Sequence, residues 1–174
     1  LDRTGGGGGL LVDRTSVLRA GYQKLTGYQI GAGGFETFGQ GPGKEALSAY
    51  GLLQFTRMRA VYPGVDAAMM ERDVSFLLAA RDGLGGYRAS GHSSHRYGAA
   101  PQELNDAYIT YVLAETGHLK SGPELDRQRA VADTTLDPYL LSLAVLTLAR
   151  SGPVDGATRL AGMQAPDGSF PGAM

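Results

Sequence analysis

A short turn occurs three times in the sequence, each time as two small residues followed by an aromatic residue. The copies are Gly33-Gly34-Phe35, Gly85-Gly86-Tyr87 and Gly168-Ser169-Phe170. The first precedes the apolar segment 45–58 and the second precedes the segment 101–116, and both segments contain an Ala-Tyr pair. A unit that recurs along the chain and joins a turn to a buried helix is typical of stacked helical hairpins. The repeat therefore restricts the chain to folds in which similar hairpins pack side by side.

Hydrophobic spacing and capping residues predict six helices. The segments 45–58 and 137–152 are apolar on nearly every face, which is typical of buried helices. The segment 66–81 is amphipathic, with Asp66 placed as its N-cap and Gly83 beyond its end. The remaining helices are predicted at 10–26, 101–116 and 155–163. We expect no strand, because β-branched residues are sparse and no segment alternates apolar with polar residues.

The predicted fold class is all-α, with the helical hairpins arranged as an α/α toroid. The apolar helices would form an inner layer, and amphipathic helices such as 66–81 would form an outer layer. The alternative is a helical bundle with glycine-rich loops. About six helices would make an incomplete ring. We expect such a ring to expose apolar surface around Leu140, Val145 and Leu148, and therefore to bind partner domains or to self-associate.

Composition divides the chain and limits its partners. Glycine accounts for 27 of 174 residues, and five of these form an uninterrupted run at positions 5–9. Because such a run has no side chain to pack, we predict a flexible segment 1–9 and one domain over 10–174. With 16 basic and 17 acidic residues the net charge is −1, which argues against nucleic acid as a partner. No segment approaches the ~18 apolar residues of a membrane span, so none is expected.

Seven stretches of the sequence carry a family resemblance through their order and spacing. They are AGYQKLTGYQ (20–29), GGFETFG (33–39), GKEALSAYGLLQFT (43–56), FLLAARDGLGGYR (76–88), ELNDAYITYVLAETG (103–117), DPYLLSLAVLTLARSG (137–152) and QAPDGSFPGA (164–173). Together they span about residues 17–174 and resemble the thioester domain of the α2-macroglobulin and complement family, in particular its bacterial branch. The family's thioester domain is an α/α toroid, which agrees with the helix prediction.

The resemblance implies covalent protease trapping or complement-like tagging of targets. In the family, a Cys-Gly-Glu-Gln motif forms an internal thioester between the cysteine thiol and the glutamine side-chain carbonyl. After a protease cuts a distant bait region, this thioester acylates an amine or hydroxyl of the target. The present chain contains no cysteine. Either the motif lies upstream of Leu1 in a longer polypeptide, which the loop residues at the ends favour, or this member lacks the thioester.

The resemblance also implies the setting of the protein. We expect a secreted protease inhibitor of innate defence, in an extracellular or periplasmic location. Its partners would be target proteases or cell surfaces, reached through the intact protein, and neighbouring β-domains of the same polypeptide. Neither turnover as an enzyme nor a cofactor is expected. An interaction domain without a thioester is a further alternative.

His95 is the candidate acyl-transfer residue. It lies eight residues after Tyr87, the aromatic residue of the second turn. In family members that direct transfer to hydroxyls, a histidine at this offset resembles a nucleophilic catalyst. Imidazole suits the role because its neutral form is nucleophilic near pH 7 and leaves readily once acylated. Without the resemblance, His95 has the features of a solvated loop histidine.

The other two histidines give weaker signals. His92 and His95 form a His-x-x-His pair, but a metal site needs three or four ligands. Further candidate ligands, Asp82, Glu103 and Asp106, are near only in sequence, so no metal site is expected. His118 follows a helix stop and is predicted to lie at the surface near the last carbonyls of that helix.

A toroid enzyme acting on carbohydrate or isoprenoid is the alternative from another functional class. It would need a cavity lined by acids or aromatic residues. The candidate acids are Glu36, Glu45, Glu103 and Asp106, whose spacing does not distinguish a catalytic pair from acids favoured at helix starts. QAPDGSF (164–170) resembles a terpene-cyclase turn, but the sequence contains no Asp-x-Asp-Asp motif.

Overall fold

The computed structural model describes residues 8–88, 100–152 and 154–172, and in these ranges the chain is helical. Seven helices are present there: α1 (Gly8–Thr26), α2 (Glu45–Met58), α3 (Ala67–Ala79), α4 (Gln102–Glu115), α5 (Pro123–Thr134), α6 (Pro138–Leu148) and α7 (Gly156–Gly162). The only strand-like features of the described residues are isolated β-bridges between Gln29 and Phe35 and between Arg81 and Tyr87. The all-α prediction is confirmed.

Six of the seven helices coincide with the predicted segments to within a few residues at each end. Asp66 caps α3 as predicted, since its Oδ1 accepts a hydrogen bond of 2.9 Å from the Ala68 N–H. Asp137 caps α6 in the same way, through the N–H groups of Tyr139 and Leu140. Helix α1 begins at Gly8, two residues before its predicted start. The boundary at residue 9 stays a prediction, because residues 1–7 lie outside the described part of the chain.

Helix α5 is absent from the sequence prediction. Its side chains that face the core include Glu124 and Gln128, both almost completely buried. A buried face that contains polar residues gives no helical hydrophobic period, and this is why the pattern missed the helix. The available signal was Pro123 directly after Gly122, since proline is favoured at a first helical position.

The helices alternate between two layers. Helices α2, α4 and α6 pack side by side in chain order, α2 against α4 and α4 against α6. Helix α3 packs on α2, α5 packs on α4 and α6, and α7 packs on α6. An inner helix followed by an outer helix is the repeating unit of an α/α toroid, as predicted.

The two Ala-Tyr pairs show which side of each inner helix faces the core. Ala49 on α2 and Ala107 on α4, the alanines of the two Ala-Tyr pairs, are both buried. The tyrosines that follow them are less buried: Tyr50 is 58% exposed and Tyr108 is half-buried. Helix α2 therefore keeps one exposed face, and the prediction that 45–58 is buried on all sides is wrong.

The predicted exposure of α6 is also wrong in detail. Leu140 and Leu148 are buried and Val145 is half-buried. They share a hydrophobic cluster with residues of α5 and α7, which cover this side of α6. The exposed apolar residues of α6 are Tyr139 and Leu146.

The described ranges contain no candidate for a membrane-spanning helix. None of the helices there combines the length and the apolar composition that crossing a bilayer requires.

Candidate functional site

The three aromatic turns share one backbone structure. Near the start of each turn an N–H donates to the carbonyl four residues later: Ile30 to Gly34 (2.9 Å), Asp82 to Gly86 (3.0 Å) and Ala165 to Ser169 (2.8 Å). The residue before that carbonyl is always a glycine with positive φ: Gly33 (103°), Gly85 (96°) and Gly168 (86°). Only glycine adopts this conformation without steric cost. The sequence repeat is therefore a structural repeat.

The first turn is held by a hydroxyl group and by the following outer helix. The N–H of Phe35 donates to Oγ of the buried Ser48 on α2 at 2.8 Å. The carbonyl of Phe35 accepts a 2.8 Å hydrogen bond from the N–H of Lys44. A Cβ atom at Gly33 would overlap with the carbonyl oxygen of Arg72 on α3. The turn is thus fixed between α2 and α3.

In the second turn, the N–H of the aromatic residue binds a carboxylate and not a hydroxyl group. The N–H of Tyr87 donates to Oδ1 of Asp106 on α4 at 3.2 Å, and Asp106 is 3% exposed. Its other oxygen, Oδ2, accepts from Nη1 of Arg127 on α5 at 3.1 Å. A Cβ atom at Gly85 would lie 2.7 Å from the carbonyl oxygen of Pro123. Helix α5 therefore closes on the second turn as α3 closes on the first.

Gln102, at the start of α4, contacts the same tyrosine from its other side. Its Nε2 donates to the carbonyl of Tyr87 at 3.0 Å and to Oδ1 of Asp106 at 2.7 Å. Asp106 and Gln102 thus bind both backbone groups of Tyr87. Because Asp106 accepts from the Gln102 amide, it also sets the direction in which that amide points.

The second turn also differs from the others at its first residue. In the first and third turns a glutamine Nε2 donates to the carbonyl of the positive-φ glycine: Gln29 to Gly33 (2.7 Å) and Gln164 to Gly168 (2.9 Å). The second turn has Arg81 at this position. Its Nε and Nη2 bind the two carboxylate oxygens of Glu124 at 2.5 and 2.7 Å. Glu124 is completely buried, so this bidentate pair fastens the turn to α5.

Opposing influences act on the charge of Asp106. Burial raises its pKa, whereas hydrogen bonds from Gln102 and from the Tyr87 N–H, together with the positive charge of Arg127, lower it, and burial outweighs them. Burial also raises the pKa of the Tyr87 hydroxyl to about 12. At neutral pH Tyr87 is therefore a neutral anchor, while the anionic form of Asp106 depends on its three donors.

The histidine candidates are only partly placed. His92 and His95 lie in the segment 89–99, outside the described residues, so the acyl-transfer role and the His-x-x-His pair stay predictions. His118 is exposed, as expected, and its Nδ1 lies 2.9 Å from Oγ1 of Thr116. Its backbone N–H donates to the carbonyl of Leu113 at 2.7 Å.

The candidate acids are used within turns and helix starts. Oε2 of Glu36 accepts from the N–H of Phe38 at 2.7 Å, inside its own turn. Glu45 and Glu103 lie in the first turns of α2 and α4, where the helix dipole favours acids. Asp106 is engaged with Arg127 and the second turn.

Two of the acids considered as metal ligands do come together. A Cβ atom at Gly86 would lie 2.7 Å from Oδ2 of Asp106 and 2.9 Å from Oδ2 of Asp82. Nη1 of Arg127 is 2.9 Å from the same point, so a guanidinium supplies the positive charge there. Among the described residues, no group of three or more His, Asp or Glu could hold a metal ion.

Sequence reasoning missed Gln102, Arg127 and the Arg81–Glu124 pair. The shared Ala-Tyr pairs contained a signal for the contact between Asp106 and Tyr87. Aligning the two pairs gives Asp106 the same position as Ser48. The arginine contacts required α5, which the sequence prediction lacked.

Comparison with known proteins covers most of the chain. A family model described as the A-macroglobulin TED domain matches residues 12–146. The match includes the first two turns and helices α2 to α5. No curated protein matches the sequence.

Proposed function

This chain belongs to the A-macroglobulin TED domain family, and from that premise we propose that it serves covalent protease trapping or complement-like target tagging. It would do so as part of the thioester domain of a longer protein. The observation that carries the proposal is the family match over residues 12–146, which includes the segment that bears His95.

The proposed chemistry is acyl transfer from a thioester supplied by the longer polypeptide. A neutral His95 nitrogen attacks the thioester carbonyl carbon, the carbon–sulfur bond breaks, and an acyl-imidazolium and a thiolate form. The thiolate then takes the proton of a target hydroxyl while the hydroxyl oxygen attacks the acyl carbon. The carbon–nitrogen bond breaks, leaving an ester, a thiol and neutral imidazole. Direct attack by an amine on the thioester would instead give an amide.

The setting follows from the same premise. The targets would be proteases or cell surfaces that carry hydroxyls and amines, and the domain would contact neighbouring β-domains of its own polypeptide. Such a protein would work outside the cytoplasm, in an extracellular or periplasmic space. Each molecule would react once, so the domain is not an enzyme that turns over.

An α/α-toroid enzyme has less support. Of its candidate acids, Glu36 is bound within its own turn and Asp106 holds Tyr87 and Arg127. Both are committed to holding the fold together. Alanine at Glu45, Glu103 and Asp106 would abolish a glycoside hydrolysis if the domain performed one, whereas we expect no hydrolysis to lose.

The thioester itself is tested on the intact parent polypeptide. Its peptides are mapped by mass spectrometry with and without methylamine. We expect a cysteine-containing peptide upstream of Leu1 whose glutamine gains methylamine as a free thiol appears. If no such peptide exists, the covalent function is wrong and an interaction domain without a thioester takes its place.

The role of His95 is tested in the same parent protein by His95→Asn. We expect coupling to glycerol to fall relative to coupling to methylamine, because only hydroxyl transfer uses the acyl-imidazolium. His92→Asn, three residues away, is the matched control and should keep the wild-type ratio. An unchanged ratio in His95→Asn would remove the catalytic role.

A further inference from the structure

The outer helices that cover the first and second turns can be aligned residue by residue. In both, one backbone carbonyl of the outer helix lies against the positive-φ glycine of the turn: that of Arg72 on α3 and that of Pro123 on α5. The residues that follow these two carbonyls are Asp73 and Glu124. Both are acids, and both are almost completely buried. The two units of the repeat therefore place a buried carboxyl group at the same point of the outer helix.

A second pair of contacts gives the same alignment. In the first turn a Cβ atom at Gly34 would meet the ring of Phe76 on α3. In the second turn a Cβ atom at Gly86 would meet Nη1 of Arg127 on α5. Phe76 and Arg127 each follow the buried acid of their helix by three residues. The two buried acids are therefore equivalent residues of the repeat.

The equivalent acids differ in the partner that the turn provides. Glu124 binds Nε and Nη2 of Arg81. In the first turn the position of Arg81 is occupied by Gln29, whose Nε2 donates to one carbonyl of the turn at 2.7 Å and to one of α3 at 2.9 Å. An amide nitrogen has only two hydrogens, so Gln29 has none left to donate to Asp73. Within the described residues neither carboxylate oxygen of Asp73 has a hydrogen-bond partner.

The charged groups near this part of α3 are engaged with other residues. On α3 itself, Nη2 of Arg72 donates to Oε1 of Gln29 at 2.9 Å. At the first turn, Nζ of Lys44 lies 3.8 Å from Oε1 of Glu36. The residues that α2 buries are all uncharged. The titratable side chains of the hydrophobic cluster that α3 joins are Tyr22, Tyr28, Tyr62, Tyr87, Tyr108 and Tyr111. None of these elements brings a cation to Asp73 in the described part of the chain, so its carboxyl group is stable there only with a proton.

We propose that Asp73 is a pH-dependent switch, which stabilises the packing of α3 on α2 and the first turn when protonated and favours the detachment of α3 when ionised. Burial raises the pKa of Asp73 to about 8, with no contribution from a charged neighbour among the described residues. Because this value lies above that of an exposed carboxyl group, α3 detaches more readily as the pH rises from about 4 to about 8. The second unit lacks this response, because Glu124 has the permanent cation of Arg81.

The packing of the outer helices favours a local response. Helix α3 packs chiefly on α2, whereas α5 packs on both α4 and α6. Detachment of α3 therefore breaks one helix interface, and helices held by fewer interfaces open at a lower free energy. The switch would loosen the first unit of the repeat in alkaline surroundings and tighten it in acidic ones.

Hydrogen exchange at the amides of α3 tests the inference on the chain of residues 1–174, after correction for the intrinsic pH dependence of exchange. In the wild type we expect the opening constant of α3 to rise about tenfold per pH unit between pH 5 and 7, because opening releases one proton. In Asp73→Asn, which cannot ionise, the constant should not change over this range. Glu71→Gln removes an exposed carboxylate of the same helix and should keep the wild-type dependence.

A double variant copies the partner of the second unit into the first. Gln29→Arg combined with Asp73→Glu supplies the cation and the longer carboxylate of the Arg81–Glu124 pair. Because a paired carboxylate keeps its charge in the folded state, the opening of α3 should be independent of pH between pH 5 and 7 in this variant. It provides the comparison with the wild type even if Asp73→Asn does not fold.

Two results would overturn the inference. A wild-type opening constant that does not change with pH, or one whose rise persists in Asp73→Asn or in the double variant, would show that Asp73 does not control α3. Opening constants that are equal at the amides of α3 and α6 at every pH would show that α3 opens only when the whole chain unfolds. We expect instead that α3 opens more often than α6 throughout the range.

Discussion

Asp73 on α3 is a buried carboxyl group for which the described residues provide no hydrogen-bond partner. It is 1% exposed, and neither carboxylate oxygen is bound there. Burial raises its pKa to about 8, because a charge is costly in an apolar environment. The protein therefore folds with this group neutral, while the unfolded chain ionises it at a much lower pH.

Asp73 should make the domain less stable as the pH rises. Its folded-state pKa lies above the unfolded value. Its contribution to the free energy of unfolding is therefore fully present below about pH 4 and is lost progressively up to about pH 8. For one proton, the free energy of unfolding falls by about 1.4 kcal/mol per pH unit in this range. Urea unfolding between pH 5 and 8 measures it, and Asp73→Asn should flatten it. Asp66→Asn, at the exposed N-cap of the same helix, is the control and should keep the wild-type slope.

Substitutions at Gly33 and Gly41 should distinguish the cost of backbone strain in a turn from the cost of a steric clash with a neighbouring helix. Both have positive φ, but a Cβ atom at Gly33 would overlap with α3, whereas a Cβ atom at Gly41 meets nothing within 4 Å. Gly41→Ala should cost about 1 kcal/mol for the backbone strain alone. Gly33→Ala should cost clearly more in the same chemical unfolding experiment. Equal costs would show that α3 does not press on the turn.

At the scale of elements, sequence patterns predict the helices with apolar faces and miss the one with polar anchors. Caps such as Asp66 and Asp137, and glycines after helix ends, place the predicted helices to within a few residues. Helix α5 escapes because Glu124 and Gln128 face the core. Sequence patterns also miss the hydrogen bonds of Gln102 and Asp106 to Tyr87, because these bonds join groups that only the packed helices bring together.

Removing Arg81 from the Arg81–Glu124 pair should cost more stability than neutralising Glu124. Arg81→Ala leaves the buried Glu124 carboxylate without its cation, which costs about 3–5 kcal/mol. Glu124→Gln leaves Arg81, a third of whose side chain is exposed, able to contact water, so the loss should be smaller. Within α5, the exposed Arg129–Asp126 pair is the control: Arg129→Ala should cost less than 1 kcal/mol. Equal losses at Arg81 and Arg129 in chemical unfolding would contradict the assignment.

At the scale of the whole molecule, the inner layer leaves aromatic and aliphatic side chains uncovered. Tyr50 on α2 and Tyr139 and Leu146 on α6 are each at least half exposed. Exposed apolar groups on helices of the same layer favour association. The expectation of partner binding or self-association therefore stays, but its location moves from Leu140 and Leu148 to this surface.

Self-association of the isolated chain should depend on α6. The double substitution Tyr139→Ser and Leu146→Ser should shift the chain towards the monomer in sedimentation at high concentration, with little change in unfolding midpoint. Leu84→Ser, at a still more exposed apolar residue of the second turn, should leave the distribution as in the wild type. A wild-type chain that is monomeric at every concentration would contradict the prediction.

Two of the three aromatic turns are covered by an outer helix, and this difference should decide where the molecule opens first. The first turn is fixed by α3 and the second by α5, so each of these turns is held rigid by the outer helix of its own unit. In the described residues no outer helix lies on the third turn: a Cβ atom at Gly168 would meet only the Gln164 side chain, at 3.8 Å, and Phe170 is 44% exposed. Local opening requires the least free energy where a turn lacks such cover. In hydrogen exchange on the chain of residues 1–174, the amides of the third turn should lose protection before those of the first and second turns.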